Sequence, residues 1–341
     1  MTMRDHLMRC AVALAAILGC GHGTQAQSVE EFYRGKQIRL IVSFDAGNDY
    51  DQWARLIGRH LGKHLPGNPT FVVQNMPAAG GIASANFLFN VAPKDGSVIG
   101  MIGRNLPYHA LVQESGVHYE PAKFAWLGSP ELTNRVCVAV ASSAVKKAED
   151  LFERELLVGG SGAGSAISTT PVLLARLLGM KFKLVEGYTG PAQVVLAMDR
   201  GEVEGICQTV TSLYNFRPGD FESGKWRVLL NMERSPLAQY KSPSIFQFVK
   251  TEEQRRIIAL YSSSIELGRP MVAPPGTPGD RVAALRRAFH ATLADPALLA
   301  DAEKQKLEIT VVSGDQLAAL VNDLMTTPPE IVKRMQELLK P

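Results

Sequence analysis

The chain has little cysteine, no strong excess of either charge and, beyond its first segment, no long apolar run. Each shortage excludes a class of protein. Four cysteines in 341 residues are too few for a small disulfide scaffold, whose chains are short and cysteine-dense. Lys and Arg number 36 against 33 Asp and Glu, a formal net charge of +3, of which Arg4, Asp5 and Arg9 supply +1. The remainder is close to neutral and has no basic stripe, so no nucleic-acid partner is expected. After residue 26 nothing approaches the ~18 apolar residues of a membrane span. A composition 46% hydrophobic and 20% charged is that of a globular chain, which excludes disorder and collagen-like repeats. No internal repeat or low-complexity tract is visible. The length suits one large or two medium domains, and two are expected.

The first segment reads as a targeting signal. Met1 to Arg9 holds two arginines, Cys10 to Cys20 is an uncharged, mostly apolar run, and Thr24-Gln25-Ala26 is a small-x-small cleavage site. Charged, apolar and small segments in that order mark a secretory signal over residues 1–26, hence an exported, periplasmic protein. A competing reading takes Ile17-Leu18-Gly19-Cys20 as a lipoprotein box, with a lipid on Cys20; Leu18 is bulky for such a box. After cleavage Cys137 and Cys207 remain, each in a strand-like apolar run. They read first as two buried thiols acting as small hydrophobes, with a disulfide between them left open in a compartment that permits one.

The rest of the chain repeats one pattern: short apolar strand, small-residue turn, amphipathic helix. Strands are predicted at Lys36–Phe44, Thr70–Gln74, Val98–Ile102, Leu156–Val158, Lys183–Val185 and Pro270–Ala273. Helices are predicted through Trp53, Leu56, Ile57 and Leu61, over Ile82–Val91, through Leu173, Leu174, Leu177 and Leu178, and over Ala192–Arg200. Asp280–Ala291 and Gln316–Met325 are the clearest of three or four C-terminal helices. The alternation implies an α/β fold with mainly parallel sheets.

Enzyme motifs fail. Gly159-Gly160-Ser161-Gly162-Ala163 resembles a nucleophile elbow, but Ala163 stands where glycine is required. Gly160 to Gly164 lacks the Lys-Ser or Lys-Thr of a P-loop and the spacing of a dinucleotide fingerprint. No enzyme activity is expected, and no cofactor. His60 and His64 have the i, i+4 spacing of a zinc pair, but no HExxH or third ligand accompanies them, so no metal is expected. Cationic side chains at a helix C-terminus explain them better. What recurs is a device suited to anions. Small-residue turns follow Phe44, Asn75, Val158 and Glu186, each between a strand and a helix, where parallel sheets bind ligands. Backbone amides and helix N-termini there favour negative charge.

At these positions the chain resembles the receptors of tripartite tricarboxylate transporters, the Bug family of solute-binding proteins. Ile38 to Phe44, a small-residue turn, Asp51 and Ala54-Arg55-Leu56 resemble the family's opening strand, turn and helix. Val73-Gln74-Asn75-Met76-Pro77-Ala78-Ala79-Gly80-Gly81 is similar to its E-N-R-P-G-A-G-G segment, and Ala92 to Gly96 to its A-x-P-D-G turn. Gly162 to Gly179, Tyr188 to Glu204 and Ala273 to Pro278 follow further family segments, so the likeness runs in order through residues 32–325.

The resemblance implies a type II periplasmic-binding-protein fold, with a cleft between two lobes. Lobe one is expected at 27–131 plus 233–341 and lobe two at 132–232. It further implies a monomer that captures a small organic acid and passes it to integral-membrane transporter subunits, in the manner of a Venus flytrap. An exported sensor signalling to a membrane kinase is the alternative. The implied ligand-binding residues are Phe44, Asp45, Ala46, Gly47, Asn48, Asp49 and Tyr50 in the first turn, and Ala79 and Gly80 in the second. Ser161, Gly162, Ala163 and Ser165, with Tyr188, Thr189 and Gly190, are implied in the other lobe. Arg104 is the nearest cationic candidate, with a surface salt bridge as its alternative role. Gly47-Asn48-Asp49 replaces a run of three glycines, and Thr189 replaces a common lysine. If Asp49 faces the cleft, the ligand is expected to carry an amine or many hydroxyls; if not, Asp49 caps the helix.

Overall fold

The computed structural model describes residues 27–340, apart from 113–114, 133, 163–164 and 306. The signal segment, the Cys20 box and Ala163 therefore lie outside the described residues.

The chain enters through a short helix, α1 (Val29–Tyr33), closed by a capping box between Ser28 and Glu31. β1 (Gln37–Val42), α2 (Asp49–Leu61), β2 (Thr70–Asn75), α3 (Ile82–Asn90), β3 (Val98–Met101), α4 (Leu106–Leu111) and β4 (Ala125–Ser129) follow. β1 begins with the polar Gln37 and Arg39 but buries Ile38, Leu40, Ile41 and Val42, because both its faces are covered towards its carboxyl end. Ile38, Leu40 and Val42 enter one core and Ile41 the other. Trp53, Leu56, Ile57 and Leu61 of α2 fill the first of these cores, as their spacing predicts. Each such side chain contributes roughly 1.5–3 kcal/mol when fully buried.

The chain then crosses to β5 (Arg135–Val140), β6 (Leu156–Gly159), α5 (Ala166–Leu178), β7 (Phe182–Val185), α6 (Pro191–Asp199), β8 (Gly205–Thr209), α7 (Val210–Phe216) and β9 (Trp226–Asn231). It returns through α8 (Glu252–Glu266), β10 (Met271–Ala273), α9 (Gly279–Leu293), α10 (Pro296–Lys304), β11 (Val312–Ser313), α11 (Gly314–Met325) and α12 (Pro329–Leu339). The strands form two sheets, ordered β11-β4-β10-β3-β1-β2 and β7-β6-β8-β5-β9. In the first, β1 to β4 run one way and β10 and β11 the other. In the second, only β5 opposes the rest. Both sheets are thus mainly parallel, helix-covered layers of one α/β fold.

Two expectations change. Cys137 and Cys207 are disulfide-bonded, with Cα atoms 4.0 Å apart. They stand directly opposite one another where β5 and β8 pair antiparallel, a meeting that 70 residues of intervening chain conceal. The C-terminal part also does not belong wholly with the first sheet. Ile257, Ile258 and Ile265 of α8 and Ile331, Val332, Met335 and Leu338 of α12 share a core with Cys137, Leu156 and Val158 of the second sheet. Their apolar stripes are buried against α5 and its sheet. α11 serves both bodies, since Leu317 and Val321 enter a first-sheet core and Leu324 the second.

Candidate functional site

Three turns converge at the carboxyl ends of β1, β2 and β3, because these strands are parallel neighbours. Ser43 joins them. Its Oγ accepts the Gly103 amide at 3.2 Å and lies 2.6 Å from Ser84 Oγ on α3. A Cβ on Gly103 would stand 3.1 Å from the Phe44 ring and 3.4 Å from the Gly80 carbonyl. Gly81, at φ +97°, would bring a Cβ to 3.1 Å from that of Ser43. A side chain at either glycine would push the turns apart.

Within the first turn, Phe44 is half-buried, Asp45, Ala46 and Gly47 are exposed, and Tyr50 is buried. Asn48, not Asp49, caps α2, its Oδ1 accepting the Asp51 amide at 2.9 Å. The buried Asp51 carboxylate accepts the Gly47 amide at 2.8 Å, Arg55 Nε at 2.9 Å and Asn75 Nδ2 at 3.0 Å. Burial opposes ionisation of Asp51, but these donors outweigh it and hold its pKa below the usual carboxylate value. Asn75 also donates to the Phe44 carbonyl at 2.9 Å, fixing the second turn to the first.

Asp49, half-exposed, accepts the Tyr50 amide at 3.0 Å and forms an ion pair with Arg269. Arg269 lies over the Tyr50 ring at 4.7 Å and 3.8 Å from Glu131, which itself accepts Trp53 Nε1 at 2.7 Å. Burial works against the Arg269 charge, and Tyr50, Glu131 and Asp49 outweigh it, raising its pKa. Arg104, half-buried, donates its amide to the Tyr50 hydroxyl at 3.2 Å. Burial lowers the Arg104 pKa and the cations Arg269 and Arg135 add to that, against Tyr50 and Asp49.

Strand register explains this gathering. Met271 pairs with Met101, so Arg269 stands beside the turn that follows β3. On the second sheet Arg135 pairs with Thr209, Val158 with Gly205 and Gly159 with Val185. Arg135, Thr209, the turn after β6 and Glu186 therefore share one end of that sheet. Arg269 of the first sheet lies 3.8 Å from Glu131, four residues before Arg135 of the second, and Arg104 feels the charge of both arginines. Arg135 and Arg269 are each 7% exposed, and the Nε of each is buried without a hydrogen-bond partner among the described residues. Beside them the buried Glu233 accepts the Arg135 amide at 2.7 Å, and burial pushes its carboxyl up to about 7.

The second-sheet turns differ from the picture of amides awaiting a ligand. The Gly162 amide donates to Glu186 Oε2 at 2.7 Å and the Ser161 amide to Ser168 Oγ at 3.0 Å. Ser168 Oγ donates to the same Glu186 oxygen at 3.2 Å, and Ser165 Oγ donates to Ser168 at 3.1 Å. The Thr189 amide donates to Gln193 Oε1 at 2.9 Å, Tyr188 reaches Glu202 at 3.5 Å, and Gly190 precedes α6 as its cap. With Gly47 bound to Asp51, four of the expected amide donors are held by side chains of their own sheet's layer.

Sequence reasoning missed Arg135, Arg269 and Glu186. A cation directly before a buried strand, as in Gly268-Arg269-Pro270-Met271-Val272, was the available signal for Arg269. His60 and His64 instead meet carboxylates of the α10 segment, Asp301 at 3.1 Å and Asp295 at 2.7 Å. Among the described residues no group of three or more His, Cys, Asp or Glu side chains is placed to hold a metal. A cavity of about 740 Å³ lies between α7, Phe221, Tyr240 and the end of α10, and no sequence-predicted site residue lines it.

A family model described as the tripartite tricarboxylate transporter family receptor, TctC, matches residues 54–336. A UPF0065 protein of Cupriavidus necator is 24% identical over 343 residues, 98% of each chain. A ligand-free TctC solute-binding protein from Polaromonas aligns with a TM-score of 0.69 at 19% identity, over 90% of this chain and 98% of that one. An R. palustris protein solved with adipate aligns at 0.53 and 20% identity, over 88% and 97%. These likenesses establish the two-lobed binding-protein fold for the chain.

Proposed function

The chain belongs to the tripartite tricarboxylate transporter receptor family, whose members are solute-binding receptors rather than enzymes, and we propose that it captures a small organic anion and delivers it to a membrane transporter of that type. The observation that carries this reading is the placing of two nine-tenths-buried arginines at the ends of the two sheets, Arg269 3.8 Å from Glu131 and Arg135 four residues further along the chain, each with an Nε unpartnered among the described residues. Two buried guanidinium Nε groups without partners there favour a carboxylate, since a charge-assisted hydrogen bond contributes about 1.5–3 kcal/mol. Four such bonds approach the roughly −8 kcal/mol of micromolar binding before ordering costs. The adipate held by the R. palustris relative supports the same ligand class. The 740 Å³ cavity does not suit an anion, being lined by Glu222, Glu303 and Glu308 and by no Lys or Arg.

The two lobes, one built on each sheet, close over the ligand by bending at the crossovers near residues 131 and 232, and the closed form is the one the transporter recognises. In this reading residues 44–50, 79–80, 161–162 and 165, with Tyr188 to Gly190, border the cleft. Export by the 1–26 signal delivers the receptor to the periplasm, where it acts as a monomer. A thermal-shift screen over carboxylates, amino acids and aromatic acids identifies the ligand. Uptake of that radiolabelled acid is then compared in cells with and without the gene. Loss of uptake on deletion is the expected result. Intact uptake with a lost transcriptional response overturns delivery in favour of sensing.

A further inference from the structure

We infer that the ligand has one carboxylate only, and that its far end carries hydrogen-bond donors, ammonium or hydroxyl, received by Glu186. This rests on the receptor role proposed above and narrows its substrate class. The turn after β6 has the form of an anion cradle, yet an anion of the chain's own already occupies it. Glu186 Oε2 takes both the Gly162 amide and the Ser168 hydroxyl, while the Ser161 amide is spent on Ser168. A second ligand carboxylate arriving there finds these donors engaged and meets a fixed negative charge. An ammonium or hydroxyl finds an acceptor already oriented.

The other end of the same sheet edge has the opposite chemistry. Arg135 stands three strands from Glu186 in the order β7-β6-β8-β5, roughly 14 Å between backbones at ~4.8 Å per strand spacing. Arg135 and Arg269 are nine-tenths buried, each with an unpartnered Nε, and Arg104 lies within the field of both. Asp49 and Glu131 offset part of that positive charge through their ion pairs with Arg269, and the Glu233 carboxyl lies against Arg135, which suits one carboxylate better than two. The edge is thus polarised, cationic at β5 and acidic at β7, and a molecule bridging it is complementary when its own ends differ in the same way.

The test is calorimetric titration of the exported, oxidised protein with acids of matched length. Succinate is compared with γ-aminobutyrate and γ-hydroxybutyrate, adipate with ε-aminocaproate, and terephthalate with p-(aminomethyl)benzoate. The single-carboxylate member of a pair is expected to bind at least about tenfold more tightly. Glu186→Gln is expected to erase that preference, with the unfolding midpoint monitored in parallel. Equal or tighter binding of the dicarboxylates by the wild-type protein overturns the assignment of the far end, and needs no variant to fold. It leaves the organic-acid role standing. A preference for single carboxylates that persists undiminished in folded Glu186→Gln overturns the role of Glu186. Binding of no member of any pair, together with no stabilisation by any acid of the thermal-shift screen, overturns the organic-acid role itself.

Discussion

Opening the Cys137–Cys207 bond is expected to weaken the second sheet's layer by up to about 4 kcal/mol. The bond joins residues 70 apart in sequence. In the loop-entropy description, the unfolded chain regains about 2.1 + 1.5R ln n cal/mol/K, which for a loop of this length is about 15 cal/mol/K, or roughly 4.4 kcal/mol at 25 °C. Both cysteines are fully buried, and β5 and β8 are also held by antiparallel pairing from Arg135–Thr209 to Ala139–Gly205, so the reduced protein is expected to fold at a lower midpoint rather than not at all. Urea titrations followed by circular dichroism, on oxidised protein and on protein whose two thiols are confirmed free by thiol titration, give the difference directly. The Cys137→Ala/Cys207→Ala double variant is expected to fall at or below the reduced wild type, since truncation also removes two buried sulfurs. Coincident unfolding curves for oxidised and fully reduced protein would refute the entropic account.

Glu233 carries a pH signature. Burial raises its folded-state carboxyl to about 7 from the ordinary glutamate value of about 4.5, so between those values the folded protein binds more protons than the unfolded one. Stability from this group is fully present below about 4.5 and is lost as pH rises towards 7, by about 3 kcal/mol at most. Glu233→Gln, which keeps an oxygen for the Arg135 amide, should be the more stable protein at pH 8 and lose the advantage at pH 5. Equal urea midpoints for the two proteins at both pH values would exclude the effect. Gly81→Ala is expected to cost about 1–3 kcal/mol, because its φ is +97° and the new Cβ would crowd Ser43. Gly190 has extended backbone and open space around it, so Gly190→Trp should leave the unfolding midpoint unchanged while blocking the cleft. Full ligand affinity in that variant would remove the 188–190 turn from the site.

Local elements were legible in the residues wherever burial is one-sided or complete. β1 announces itself because both faces are covered, and α2 because Trp53, Leu56, Ile57 and Leu61 form one stripe between an acidic start and a basic end. The turns of the first sheet were legible for the same reason, since Gly80 and Gly81 mark positive-φ backbone after a strand. What stayed hidden depends on register between distant segments. Cys137 and Cys207 are equally apolar whether bonded or free. The apolar stripes of α8 and α12 do not say which sheet they will cover. Arg135, Arg269 and Arg104 are scattered in the chain, and Arg104 feels the charge of the other two only because β10 inserts antiparallel between β3 and β4 and β5 begins beside the end of β8. Glu186 lies 24 residues from Gly162, so glycine-rich turns looked like empty anion sites when one already held a carboxylate.

The central claim is that an organic anion is held between the two sheet ends. Calorimetry on the wild type and on Arg104→Gln, using the acid that most stabilises the protein in the thermal-shift screen, tests it most directly. The expected result is saturable one-to-one binding that weakens at least about tenfold in the variant, at an unchanged unfolding midpoint. Undiminished affinity in Arg104→Gln, together with binding abolished by Tyr214→Ala in the α7 cavity, would contradict it.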